Sequence, residues 1–202
     1  MISFKHKFIF IHAPKTAGNS IQNVLLKYSD DEVVNARYKG DVLDRFGVQN
    51  FAGGKHATMS HYIRHWDESK YGKLEDYVKV GCVRNPWDRA TSYHFWAGNT
   101  NFDYAKFSFS TTRLSPMCNY YCYNGKKMID FEIRYESLQD DFDNFCKHIN
   151  VKKEKLPFAN VSRKKTKKYD EYYEDCERCL DLVSEKYKED ITVFGYENAR
   201  QL

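Results

Sequence analysis

The sequence predicts an α/β fold in which helices flank a mostly parallel sheet, and three observations carry that prediction. Two short apolar runs, Lys7–His12 and Tyr77–Val83, read as buried strands, and each leads into a segment with helix-start signals. A third strand, Met128–Tyr135, is again followed by an amphipathic helical stretch. Strands that alternate with helices are joined by crossovers, which leaves neighbouring strands parallel. The chain has 202 residues, 42% of them hydrophobic and 30% charged, which suits one domain over 1–202 with a packed core. Only 10 Gly and 4 Pro exclude a collagen-like or linker-dominated chain.

In order, the first strand gives way to Pro14 and Gly18, residues that punctuate elements. Asn19–Tyr28 reads as a helix, with Ile21, Val24, Leu25 and Tyr28 on one face. Asp41–Phe46 and Ser60–Trp66 read as short helices. After the second strand, Asn85 is a cap residue and Pro86 suits a first helical turn, where its missing N–H costs nothing. That helix runs to about Trp96, and Gly98 stops it. Asn99–Ser115 shows no clear period. Asn124-Gly125 is a turn before the third strand. Ser137 stands as N-cap of a helix to about His148, which turns Phe142, Phe145, Cys146 and Ile149 inward. A last long helix, about Asp170 to Tyr187, is predicted from Tyr173, Cys176, Leu180 and Val183.

The net charge of +4, from 32 basic and 28 acidic residues, is too balanced to mark a nucleic-acid binder. The apolar run Phe8–Ile11 is shorter than a signal peptide's, and nothing approaches the ~20 apolar residues of a membrane span. The expected location is therefore cytoplasmic. There, Cys82, Cys118, Cys122, Cys146, Cys176 and Cys179 are expected to be reduced, structural thiols. The two close pairs among them also have the ligand count of a four-thiolate zinc site, but they lie far apart, and Cys176 and Cys179 fall inside a helical pattern.

Two segments carry chemistry. His12-Ala13-Pro14-Lys15-Thr16-Ala17-Gly18-Asn19-Ser20 joins a strand to a helix. A loop ending at a helix N-terminus presents unpaired N–H groups and a positive dipole end to an anion. Lys15 adds a charge, Thr16 and Ser20 add hydroxyls, and Gly18 lets the backbone approach closely. The spacing is not G-x-x-x-x-G-K-S/T, because Lys15 precedes the glycine by three residues. The second segment is Val83-Arg84-Asn85-Pro86-Trp87-Asp88-Arg89-Ala90-Thr91-Ser92. Arg84 sits at a strand's carboxyl end, where open α/β sheets bind ligands, and its guanidinium forks onto phosphate. The bland alternative is that Arg84 or Arg89 merely pairs with Asp88 or another carboxylate.

Together the two segments resemble the paired nucleotide-binding motifs of sulfotransferases that use 3′-phosphoadenosine 5′-phosphosulfate (PAPS). The pattern is similar to carbohydrate O-sulfotransferases of the heparan and chondroitin type and their bacterial relatives. It continues through Glu136, Leu138, Asp141 and Phe142, then Asp190, Phe194, Gly195 and Tyr196, and so spans most of the chain. The resemblance implies a P-loop-type three-layer fold and transfer of a sulfuryl group from PAPS to a hydroxyl, first of all on a carbohydrate. The product would be adenosine 3′,5′-bisphosphate (PAP), and no metal would be required. Lys15, Thr16, Ala17, Gly18, Asn19 and Ser20 would hold the 5′-phosphosulfate. Arg84 and Ser92 would hold the 3′-phosphate, joined by Ser162 and Arg163 from a late basic loop. The family's animal members usually carry a membrane anchor, and none is read in this chain.

Sulfuryl transfer needs an in-line arrangement, charge stabilisation at the leaving oxygen, and a base for the acceptor. Lys15 suits the leaving oxygen. Of seven histidines, His56 is the candidate base: it follows Gly53-Gly54-Lys55 and lies between the two motifs, where the resemblance puts a base. Glu136 and Asp103 are lesser alternatives. His61 and His65 read as one exposed helix face, and His12 as a shaper of the loop. The basic run Arg163–Lys168 is either a solvated loop or an anion contact. Tyr93, Phe95, Trp96, Phe102 and Tyr104 offer either an acceptor groove or core packing. Two rival functions follow from the same residues: a Mg²⁺-dependent small-molecule or nucleotide kinase, and a non-enzymatic nucleic-acid binder built on the basic run.

Overall fold

A computed structural model of the chain describes residues 1–35, 47–49, 54–157 and 166–197. In chain order the elements are β1 (Ile2–Ser3), β2 (Phe8–Ile11), α1 (Gly18–Leu25), β3 (Glu32–Asn35), β4 (Gly47–Gln49), α2 (Met59–His65), α3 (Glu68–Tyr71) and β5 (Val78–Val83). There follow α4 (Pro86–Trp96), α5 (Tyr104–Arg113), α6 (Cys118–Tyr121), β6 (Cys122–Tyr123), β7 (Lys126–Lys127), β8 (Phe131–Arg134) and α7 (Leu138–His148). The last three are α8 (Glu171–Glu174), α9 (Glu177–Lys186) and α10 (Lys188–Phe194). The helix expected over Asp41–Phe46 lies outside the described residues. No helix among the described residues is long and apolar enough to cross a membrane. The chain divides into two compact units, residues 1–83 with 119–160 and residues 84–118 with 161–202.

The first unit holds the central sheet, ordered β1-β2-β5-β8. β2 pairs with β5 and β5 with β8 in parallel, and only the edge strand β1 is antiparallel. All four residues of β2 are buried, as a strand covered on both faces requires. On one face Phe8, Phe10, Val80, Cys82 and Ile133 pack against Ile21, Val24 and Leu25 of α1 and Phe142, Phe145 and Cys146 of α7. On the opposite face Gly81 makes room for Tyr121: a Cβ there would stand 2.6 Å from the ring. Because three strands run in parallel, β2, β5 and β8 present their carboxyl ends along one edge.

The predicted turn is a hairpin between β6 and β7, with Asn124 and Gly125 at φ 50° and 71°. Ser137 precedes α7 as expected, yet it caps nothing. Its hydroxyl donates to Asp141 Oδ2 (2.7 Å), which also accepts the Arg134 N–H (2.9 Å) and so pins the corner from β8 to α7.

In the second unit α4 follows the predicted grammar. Asn85 Oδ1 accepts the N–H groups of Trp87 (3.0 Å) and Asp88 (3.3 Å), and Pro86 occupies the first turn. The unassigned stretch after it contains α5, capped by Asp103. Around α4 and α5 lies a ring cluster of Phe95, Phe102, Phe107 and Tyr173. The predicted long last helix is corrected to two shorter ones, α8 and α9, and α10 follows beyond its predicted end. Cys176, at φ −146° and ψ 74°, breaks it, and a disulfide joins Cys176 to Cys179 with Cα atoms 5.2 Å apart. The buried positions of α9 are Cys179 and Val183, so the face counted through Cys176 and Leu180 crossed a break in register. The same bond overturns the reduced-thiol expectation for this pair and removes both sulfurs from any four-thiolate site. Cys82, Cys118 and Cys146 are buried thiols, as expected.

Candidate functional site

In the first unit the chain leaves β2 at Ile11 and reaches α1 through the loop His12–Ala17. Three contacts hold this loop to the end of β5. The Tyr121 hydroxyl accepts the Ala13 N–H (3.3 Å) and donates to the Cys82 carbonyl (2.7 Å). The Cys82 thiol contacts the Thr16 carbonyl. Thr16 Oγ1 donates to the Ala13 carbonyl (2.9 Å), so its hydroxyl hydrogen closes the loop and does not point at a ligand. So tied, the backbone holds two non-glycine residues left-handed, Lys15 at φ 67° and Ala17 at φ 68°. Each costs about 1–3 kcal/mol and persists only where the surroundings over-determine it.

The consequence is electrostatic. α1 starts at Gly18 after an N-cap alanine that caps nothing, and its first turn has no acidic residue. Ala17 thus gives the helix's leading N–H groups no side-chain cap, and no first-turn carboxylate offsets the positive dipole end. This donor set suits an anion. Ser20, in the same turn, is buried.

Beneath the loop lies His12, 4% exposed, with Nδ1 donating to Gln22 Oε1 (3.0 Å). Burial, with the nearby His56 and Lys55, holds its pKa well below the ordinary imidazole value, so the ring is neutral. A Cβ on Gly18 would stand 2.1 Å from His12 Cδ2. Gly18 therefore leaves room for the histidine ring, a packing demand that local sequence does not announce. His56 joins the group: its Nδ1 lies 2.8 Å from the His12 carbonyl, and the two rings meet edge to face at 4.7 Å. A carbonyl only accepts, so His56 Nδ1 carries a proton and donates it in this contact.

In the second unit Arg84 is the residue that follows Val83, the last of β5. Its Nε and Nη2 both meet Asp88 Oδ2, at 2.8 and 2.7 Å, within the first turn of α4. The carboxylate pairing foreseen as the bland alternative is thus present, and it orients the guanidinium. Ser92, two turns along α4, is 8% exposed. Arg89 is buried beside Asp190 (3.8 Å) and donates to the Ser115 carbonyl. Asp190 in turn accepts the N–H groups of Met117 and Cys118, both at 2.7 Å.

Other candidates fall into plainer roles. Asp103 caps α5. His61 Nδ1 accepts the Thr58 N–H in a capping box at the start of α2, and His65 is exposed. Phe95 belongs to the ring cluster and Tyr104 lies under the Arg178 guanidinium, while Trp96 is 57% exposed beside Tyr93. Ser162 and Arg163 lie outside the described residues. Sequence reasoning missed Tyr121, Cys82 and Gln22. Tyr121 is 108 positions from Ala13, and no local pattern announces such a contact.

No curated protein and no solved structure matches this chain. The model of the sulfotransferase family matches residues 1–197, which include the His12–Ala17 loop and the Arg84 segment. The chain therefore belongs to the sulfotransferase family and is an enzyme that transfers sulfo groups.

Proposed function

We propose that the donor is PAPS, that the acceptor is a hydroxyl on a carbohydrate, and that residues 1–202 act as one domain of the P-loop type. The observation that carries this reading is the left-handed Lys15–Ala17 loop at an uncapped, acid-free helix N-terminus. The support for a second phosphate contact is topological. β2 and β5 are parallel neighbours, the loop leaves the carboxyl end of one, and Arg84 is the next residue after the other.

The residues fit a sulfated nucleotide. The N–H groups of the loop and first turn, with Lys15 and Ser20, would hold the 5′-phosphosulfate, and Arg84 and Ser92 the 3′-phosphate. When bound, PAPS supplies an activated sulfuryl group whose leaving oxygen belongs to a phosphate. Lys15 neutralises charge developing at that oxygen, a contribution of the kind worth about 10²–10³ in rate. His56 takes the acceptor proton on Nε2 while the His12 carbonyl keeps Nδ1 protonated. None of these steps calls for a metal ion.

A thermal-shift comparison tests the donor. PAP with a chelator present should stabilise the protein by about 2.7 kcal/mol at a hundredfold excess over its dissociation constant. Stabilisation by ATP only with Mg²⁺, or salt-sensitive binding of RNA or DNA with no response to PAP, would overturn the reading in favour of a kinase or a nucleic-acid binder.

A further inference from the structure

We propose that the His12 side chain is a positioning residue for His56, a proposal that rests on the reading of His56 as the base. His56 is an exposed side chain, and an exposed imidazole ordinarily samples several rotamers. Here one atom and one face are held. Nδ1 is anchored on the His12 carbonyl (2.8 Å), and the ring meets the His12 ring at 4.7 Å with an interplanar angle of 61°.

The His12 ring is a buried wall with a neighbour on several sides. Gln22 holds its Nδ1 at 3.0 Å, the Phe10 ring lies 6.0 Å away, and the Gly18 backbone closes over its Cδ2–Nε2 edge. That wall joins the end of β2 to the first turns of α1, the segment that also presents Lys15. One buried ring therefore sets the base and the anion-receptive loop in a common frame. The geometry matters because a misplacement of about 1 Å costs about 10²-fold in rate. The ring is also neutral, so it brings no like charge against a base that must accept a proton.

Two variants separate positioning from mere support. His12→Asn keeps a donor for Gln22 and removes the ring. The double variant His12→Phe/Gln22→Leu keeps a ring of similar size and removes the polar pair. The readouts are kcat with PAPS, the dissociation constant of PAP, and the His56 tautomer by ¹⁵N NMR of the folded protein. The double variant should keep kcat within about threefold and the His56 proton on Nδ1. His12→Asn should lose about 10–10²-fold in kcat at unchanged PAP affinity, show mixed His56 tautomers, and add no further loss in a His56→Ala background. An active His12→Asn enzyme with an unmixed tautomer would overturn the proposal, as would a double variant as impaired as His12→Asn. Should the double variant not fold, the His56 tautomer in His12→Asn decides alone. Full activity of His56→Ala would refute the base and not the placement, which the tautomer reads without turnover.

Discussion

Replacing Gly18 by alanine tests the packing beneath the loop. Gly18 is in the helical region, so alanine meets no backbone strain, and in a helix it is ordinarily worth about 0.5–1 kcal/mol over glycine. The new methyl would nevertheless stand 2.1, 2.3 and 2.7 Å from Cδ2, Nε2 and Cγ of His12, where ordinary contact begins at 3.4 Å. The closest pair must open by 1.3 Å, and the ring is buried and held by Gln22. Overpacking of this kind costs about 1–3 kcal/mol, so a net loss of about 1–2 kcal/mol is expected after the helix gain. Urea unfolding measures it, and the same substitution in a His12→Ala background should be neutral or stabilising. A Gly18→Ala protein as stable as the parent would refute the reasoning, as would an unchanged penalty in the His12→Ala background.

Three further outcomes follow. Tyr121→Phe leaves the Ala13 N–H and the Cys82 carbonyl without their shared hydroxyl, and should cost about 2–4 kcal/mol in urea unfolding; a loss below about 0.5 kcal/mol would contradict the tie. Arg84→Ala should weaken PAP binding about 10²-fold by calorimetry and also destabilise the fold by removing the ion-pair partner of buried Asp88. Arg84→Ala/Asp88→Ala should recover stability and not affinity; recovery of both would remove Arg84 from the nucleotide site. The pH dependence has a fixed sign. His12 binds a proton far less readily folded than unfolded, where its pKa is about 6.5, so its contribution is complete above that value and falls as the solution is acidified. His12→Asn should lack that part of the slope in urea midpoints, and an identical slope in parent and variant would contradict the assignment.

Local chemistry made much of this fold legible. Asn85 and Pro86 announced the start of α4 and Gly98 its end, and apolar runs gave β2 and β5 because a parallel strand buried on both faces has no polar alternation to obscure it. The corner from β2 to α1 was legible too, since Pro14 and Gly18 lie within one short strand-to-helix segment. What escaped were effects of distance and of register. Periodicity through Cys176 and Leu180 looked continuous because a helical break of a residue or two leaves apolar residues near the expected spacing. The packing of Gly18 on the His12 ring escaped because that ring lies six positions back and folds beneath it. Residues of the resembling motifs also turn out to carry structure: Asp141 pins the corner from β8 to α7, and Asp190 accepts two backbone N–H groups beside Arg89.

The most direct measurement is transfer of radiolabelled sulfuryl from PAPS to a panel of polysaccharides, with EDTA present, for the parent chain and Lys15→Ala side by side. The account predicts label in an acceptor from the parent and at least about 10²-fold less from Lys15→Ala. Equal transfer by both proteins, or none from PAPS to any hydroxyl acceptor, would contradict it.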